Sequence, residues 1–240
     1  MDQSLYAQLR EISTATITTL LLKRGIRAVA MTGPKPLFPD QPRIAGPAFT
    51  LQFLPFREDL YDPAKAGDPA SSQRRAIEEA PAGSVLVIAT GPNTAAGCLG
   101  DILVARLQQR GLAGVVTDGA LRDAAAIAPL AFPVFAGGIA APSSHAAFSD
   151  GGLQIPVACG GITVVPGDVV VADGDGAVVI PAQLAPEIAE AGVEQERLES
   201  FIAEEVQRGH AIPGLYPPDA ETLKAYKAWC QAQDEDTENA

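Results

Sequence analysis

SVLVIAT (84–90), CLGDILVARLQQR (98–110) and AGVVTDG (113–119) follow one another through the middle of the chain. The first and third are short, unbroken apolar runs closed by turn residues, the pattern of strands buried on both faces. The second has apolar residues at helical spacing and stops at Gly111, so it predicts an amphipathic helix over 98–110. ALRDAAAIA (120–128) then predicts a short helix, and FPVFAGG (132–138) a third strand. Strand, helix, strand, helix, strand predicts a parallel sheet with right-handed crossovers.

Upstream, residues 4–24 read as one helix stopped by Gly25. GPKPLFPDQP (33–42) reads as loop and RIAGPAFTLQF (43–53) as a strand bent at Gly46-Pro47. A polar loop (55–70) and a helix (71–80) follow. Downstream, IPVACGGITVVPGDVVVADGDGAVVIP (155–181) gives short strands split by turns at 166–168 and 173–176, so this part is hairpin-rich and at least partly antiparallel. The run 173–176 resembles a calcium loop only in composition and is expected to be a turn. A long helix (182–208), the segment GHAIPGLYPPD and a final helix, AETLKAYKAW (220–229), complete the chain. The acidic end, QAQDEDTENA (231–240), is expected to fray. One α/β domain over 1–208 and a helical extension over 209–240 are the expected organisation.

The 240 residues carry a net charge of −12 and are 47% apolar. That balance supports a substantial core and argues against nucleic-acid binding, which needs clustered Lys and Arg. No apolar stretch reaches membrane-spanning length. The N-terminus lacks the apolar region of a secretory signal. Cys98, Cys159 and Cys230 form neither a disulfide framework nor a zinc pattern. A reducing cytoplasm is the expected setting.

Ligands of open parallel sheets bind beyond the carboxyl ends of strands. Two such ends stand out. The loop 91–97 leads to a helix whose N-terminal amides suit a carboxylate, and Gly97 and Gly100 allow close backbone approach. Asp118-Gly119 leads to Arg122-Asp123, expected in the first turn of the next helix. Both loops open on one sheet edge, so Asp101, Arg122 and Asp123 are expected to converge. A guanidinium beside two carboxylates fits a metal-assisted site for an anionic substrate, and Mg²⁺ needs only one or two carboxylates. His145 and His210 are too isolated for zinc. None of the five lysines falls between residues 66 and 223, which leaves no Schiff-base lysine near the sheet. Taken singly, Asp101 also suits the helix dipole, Arg122-Asp123 an ordinary surface pair, and Asp118 a turn. Cys98 is expected to face the pocket without a His partner, and His145 to be solvated.

GDILVARLQQRGLAGVVTDGALRD (100–123), FPVFAGG (132–138) and PVACGGITVVPGDVVVADGDGAVVIP (156–181) together resemble the RraA-like family, which includes the 4-hydroxy-4-methyl-2-oxoglutarate/4-carboxy-4-hydroxy-2-oxoadipate aldolases. The resemblance covers about residues 43–208, and its most specific motif is GD…G-x-V-x-D-G-x-x-R-D. It implies an α/β domain of the β/β/α swivelling type with a mixed sheet, assembled as homotrimers or homohexamers with sites between subunits. It also implies a Mg²⁺ or Mn²⁺ cofactor held by Asp123. Arg122 would bind the oxo-acid end and stabilise an enolate, and Asp101 would hold metal waters and assist proton transfer. The amides of Gly97, Cys98, Leu99 and Gly100 would bind the pyruvyl carboxylate. The implied activity is that of a class II lyase: cleavage of a 4-hydroxy-2-oxo acid, decarboxylation of oxaloacetate, or both, through one pyruvate enolate.

The segment IPGLYPPDAETLKAYKAW departs from the better-known aldolases. A neighbouring subunit's Glu, which reaches the metal waters in those enzymes, corresponds at best to Glu204 or Glu205. Tyr216, Tyr226 and Trp229 are candidate interface anchors. The family also has a branch of non-catalytic regulators that act by binding a protein, and some members carry a methyltransferase name. No Gly-rich methyl-donor turn follows the first strand here. A lyase or hydratase acting on a sugar-acid-derived 2-oxo acid would use the same enolate.

Overall fold

The computed structural model describes residues 3–59 and 67–238. Residues 60–66 of the expected polar loop lie outside the described residues. Two helices open the chain, α1 (Gln3–Glu11) and α2 (Thr14–Lys23). Then come β1 (Lys35–Pro36), β2 (Ile44–Pro55), α3 (Ser72–Glu79), β3 (Val85–Ala89) and α4 (Asp101–Gln109). The middle continues with β4 (Gly114–Leu121), α5 (Ala124–Ile127), β5 (Val134–Ile139) and β6 (Phe148–Leu153). Two hairpins follow, β7 (Val157–Cys159) with β8 (Ile162–Val164), and β9 (Val169–Asp173) with β10 (Gly176–Ile180). Helices α6 (Ala185–Gln207) and α7 (Ala220–Glu238) end the chain.

The sheet runs β1-β5-β4-β3-β2-β9-β10, with β6 also on β2. β3, β4 and β5 are mutually parallel, as the middle of the sequence predicts, and β2 joins β3 in the same direction. β1, β6, β9 and β10 pair antiparallel, so the sheet is mixed. β2 is long enough to take two partners along one side: Ile44–Pro47 pair with β9 and Leu51–Pro55 with β6.

Alternation along β3 explains the layers. Leu86 and Ile88 join a core with Ile77 of α3 and Val104 and Leu107 of α4. Val85, Val87 and Ala89 face the other way, into a core with Val157, Cys159, Ile162 and Val164 of the β7–β8 hairpin. Successive strand side chains point to opposite faces. Helices therefore cover one face and a small hairpin the other, which is the expected β/β/α arrangement.

Four local expectations change. Residues 4–24 form two helices, because the Ser13 side chain accepts the Thr16 amide at 3.0 Å and starts α2 afresh. Asp173 accepts the Thr14 amide at 2.8 Å at the same helix end. Within 33–42, Lys35 and Pro36 form a short strand on β5. β6, unmarked in the sequence, fills the rest of the β2 edge. The final helix continues to Glu238 through most of the segment expected to fray. The turn between Asp173 and Gly176 is a hairpin turn, as expected.

The chain divides into two compact units, Met1–Ala189 and Glu190–Ala240, so the division falls inside α6 and not at 208/209. The sheet and everything described above to Ile180 belong to the first. The second has its own apolar cluster of Phe201, Ile202, Leu215 and Tyr226, with Trp229 packed against it. Tyr226 and Trp229 thus serve an internal core, and of the three candidate anchors Tyr216 is the exposed one, at 56%. Among the described residues no helix is long and apolar enough to cross a membrane.

Candidate active site

Beyond the carboxyl ends of β3 and β4 lies a cleft of about 380 Å³. Gly97, Cys98, Leu99, Gly100, Asp101, Arg122 and Asp123 all line it, so every residue expected at the site borders one cavity. Its size suits a small-molecule ligand.

The loop between β3 and α4 and the end of β4 are bound backbone to backbone. Cys98 N–H donates to Ala120 O at 2.8 Å, and Arg122 N–H donates to Leu99 O at 2.9 Å. Gly97 N–H donates to Pro142 O at 2.9 Å. These bonds correct two expectations. First, β4 runs to Leu121, so Arg122 sits at the strand end and not in a helix turn. Second, the Gly97 and Cys98 amides are already used by the protein, which removes two of the four expected carboxylate donors. Leu99 and Gly100 donate to no backbone carbonyl among the described residues. Asp101, Ile102 and Leu103 add the first-turn amides of α4.

The closeness expected of Gly97 and Gly100 is closeness to protein. A Cβ on Gly97 would stand 2.7 Å from Arg122 N, and one on Gly100 would stand 2.8 Å from Asp123 Oδ2.

Asp123 is the N-cap of α5 with left-handed backbone, φ 60° and ψ 34°. Asp tolerates this conformation better than most residues. An N-cap Asp ordinarily gives its carboxylate to the helix amides. Here it makes no such bond, and Oδ2 instead accepts from Arg122 Nε at 3.0 Å. Both side chains are about two-fifths exposed. The two terminal guanidinium nitrogens of Arg122 have no partner among the described residues, nor does the Asp101 carboxylate.

Asp118 does more than shape a turn. It is buried within β4, where Oδ1 accepts from Thr90 N–H at 2.7 Å and from the Thr90 hydroxyl at 3.1 Å. Oδ2 accepts from Gly160 N–H at 3.2 Å. One carboxylate thereby ties the end of β3 to the β7–β8 turn. The Cys98 thiol is buried, donates to Thr117 Oγ1 at 3.7 Å and has its pKa pushed up to about 12 by desolvation. A thiol so placed is no nucleophile.

Sequence reasoning missed Gln73, Arg74, Ser143, Ser144 and His145, which also line the cleft. His145 is exposed, as expected, and also borders the site. Gln73 Nε2 donates to Cys98 O at 2.7 Å and fastens α3 to the loop. Nothing in the local sequence marks α3 as a wall of the site. Glu204 and Glu205 lie in the second unit and have partners there. Trp229 Nε1 donates to Glu204, while Glu205 pairs with Arg208 and His210.

The sequence profile of the RraA-like family, described as Aldolase/RraA, matches residues 13–179. A protein of Halalkalibacterium halodurans, named "Putative 4-hydroxy-4-methyl-2-oxoglutarate aldolase", is 34% identical over 55% of this chain. The match spans 64% of that relative's length. Among solved structures, Streptomyces coelicolor RraAS2 is described as an unusual member of the RNase ES inhibitor RraA family. It is 37% identical, with a TM-score of 0.75 over 84% of this chain and 96% of its own. A protein from Pseudomonas syringae pv. tomato has a TM-score of 0.80 at 28% identity, over 91% of this chain and 95% of its own. With the profile spanning most of the sheet and the whole cleft, this chain belongs to the RraA-like family.

Proposed function

We propose that the chain is a divalent-metal-dependent lyase that releases pyruvate from a 4-hydroxy-2-oxo acid, from oxaloacetate, or from both. The observation that carries this reading is the meeting of Arg122, Asp123, Asp101 and unengaged main-chain amides on one cleft. Relatives named as aldolases support the same chemistry.

The donor set fits a hard cation. The carboxylates in the cleft are those of Asp101 and Asp123. Among the described residues no three His, Cys, Asp or Glu side chains gather at one point. A cation held at Asp123, with Asp101 reaching it through water, would keep most of its shell as water or substrate, which suits Mg²⁺ or Mn²⁺. When bound, such an ion supplies positive charge to the oxygen that becomes the enolate.

The protein's own groups do the rest. The Leu99 and Gly100 amides and the first turn of α4 receive the substrate carboxylate. The free guanidinium nitrogens of Arg122 donate to the oxo oxygen and carboxylate, and they donate more strongly as charge grows on that oxygen. In retro-aldol cleavage Asp101 accepts the proton of the 4-hydroxyl, the C3–C4 bond breaks, and C4 leaves as a carbonyl. The same proton returned to C3 gives pyruvate. In decarboxylation the C3–C4 bond breaks with loss of CO₂, and C3 takes up a proton from solvent, because this substrate has no 4-hydroxyl to supply one.

The relation to RraAS2, of an RNase inhibitor family, favours a second reading, a regulator acting by protein binding. Pyruvate release from oxaloacetate and 4-hydroxy-2-oxo acids, with and without Mg²⁺ or Mn²⁺, separates the two. Metal-dependent release is expected; no release from any of these substrates would put the regulator first.

A further inference from the structure

The candidate site has a neighbour. A groove of about 590 Å³ runs beside it along α3 and α4, and Arg74, Ile102 and Leu103 line both. Arg74 therefore stands on the ridge between an acid-binding cleft and an open groove.

Arg74 differs from the arginines around it. Arg75 pairs with Glu79 at 2.7 Å, and Arg122 pairs with Asp123 at 3.0 Å. Arg106 holds both oxygens of Glu78, at 3.0 and 2.7 Å. Glu78 lies four residues beyond Arg74, where a helical partner would be. It is already taken. Among the described residues the half-buried Arg74 guanidinium has no ion pair and no hydrogen bond.

Its backbone, by contrast, is fixed. Arg74 N–H donates to the Ser71 hydroxyl at 3.3 Å, Ser72 N–H to Asp150 Oδ2 at 2.7 Å, and Gln73 to Cys98 O at 2.7 Å. The last bond ties the turn that carries Arg74 to the loop that receives the substrate carboxylate. A guanidinium stays protonated at any working pH, and a half-buried one without a partner gains most from an anion that it can grip with two parallel bonds.

We propose that Arg74 is a specificity-determining residue that binds a second carboxylate at the far end of the substrate. The cleft then selects dianionic 2-oxo acids over monoanionic ones. The first carboxylate and the oxo group are served by the amides and Arg122, so Arg74 is the cation left for the other end. This inference rests on the reading of the cleft as a 2-oxo acid site.

The test is calorimetric binding, in one Mg²⁺ buffer, of 2-oxoglutarate and 2-oxopentanoate. These share a five-carbon chain and differ in a terminal carboxylate against a methyl. The unmutated protein is expected to bind the dianion at least about tenfold more tightly, the value of one charge-assisted contact. Arg74→Ala should bring the ratio near one, with the loss falling on the dianion, and Arg74→Lys should restore part of it. No preference in the unmutated protein overturns the proposal. So does a preference that survives Arg74→Ala, or equal weakening of both ligands. Pyruvate release measured in parallel separates the two ideas. An Arg74-dependent preference without turnover sinks the lyase and leaves Arg74 standing. Turnover with an Arg74-independent preference does the reverse, and binding of neither acid sinks both.

Discussion

Asp123 takes the space that a side chain on Gly100 would need: a methyl group on Gly100 would stand 2.8 Å from Asp123 Oδ2. The absence of a side chain at the N-cap of α4 is thus what lets the Asp123 carboxylate lie where it does. Gly97 makes a different contact, with the Arg122 backbone nitrogen 2.7 Å from where its Cβ would be. Main chain cannot swing aside, whereas a carboxylate can.

The two glycines should therefore respond differently to alanine. Gly97→Ala should cost about 1–3 kcal/mol of stability, as overpacking does. Gly100→Ala should melt within a few degrees of the parent but displace the Asp123 carboxylate and weaken Mn²⁺ binding about tenfold or more. Thermal melts and Mn²⁺ titration by electron paramagnetic resonance read the two effects separately. Unaltered Mn²⁺ affinity in folded Gly100→Ala would remove Asp123 from the metal shell.

Asp118 gives a prediction about stability. Its carboxylate satisfies two buried amides and a hydroxyl. Asp118→Ala leaves both amides unpaired and should lower stability by about 2–4 kcal/mol. Asp118→Asn keeps one acceptor oxygen and should lose less. Equilibrium urea denaturation checks both, and an Asp118→Ala protein as stable as its parent would mean that the network is not needed to hold β3 and the β7–β8 turn.

How far the sequence led follows from which forces act locally. β3 and β4 were legible because strands buried on both faces are apolar throughout. Asp101, Arg122 and Asp123 were legible because they follow those strands. β6 was not: FSDGGL has only Phe148 and Leu153 as large apolar residues, and the strand is set by pairing with β2 from a hundred residues away. The residues 120–122 read as helix because the Ala-rich stretch after them favours it, but the loop before α4 extends the strand instead, donating Cys98 N–H to Ala120 O and accepting Arg122 N–H at Leu99 O. The same bonds decide which amides are free, which spacing alone does not reveal. Arg74 was invisible because its meaning depends on Glu78 being held by Arg106 from another helix.

A third prediction concerns the metal. Asp123 offers its carboxylate to the cleft instead of to the amides of α5. Pyruvate release should vanish with EDTA and return with Mg²⁺ or Mn²⁺. Asp123→Asn keeps the shape but loses the charge, and at limiting metal it should lower kcat/KM about 10²-fold. Full turnover after exhaustive chelation would overturn the metal assignment.

The last prediction concerns Arg122, because it decides whether the cleft is an active site at all. Its position at the end of β4 is fixed by its own amide, bonded to Leu99 O, and by Gly97 packed against it. Its Nε is held by Asp123, which leaves the two terminal nitrogens as a free fork on a residue that lines the cleft. A fork can bridge an oxo oxygen and a carboxylate at once, and it binds the enolate more tightly than the ketone because charge grows on that oxygen. Arg122→Ala should therefore lower kcat by roughly 10²-fold or more, as for a lost oxyanion donor. Arg122→Lys should recover only part, since an ammonium is a point charge without the planar fork. Both variants should stay folded, because the side chain is two-fifths exposed and its one partner, Asp123, is equally so. Oxaloacetate decarboxylation and circular dichroism measured on the same samples test this. A folded Arg122→Ala protein with near-normal decarboxylation would show that Arg122 and Asp123 are only a surface pair and that the chemistry, if any, lies elsewhere.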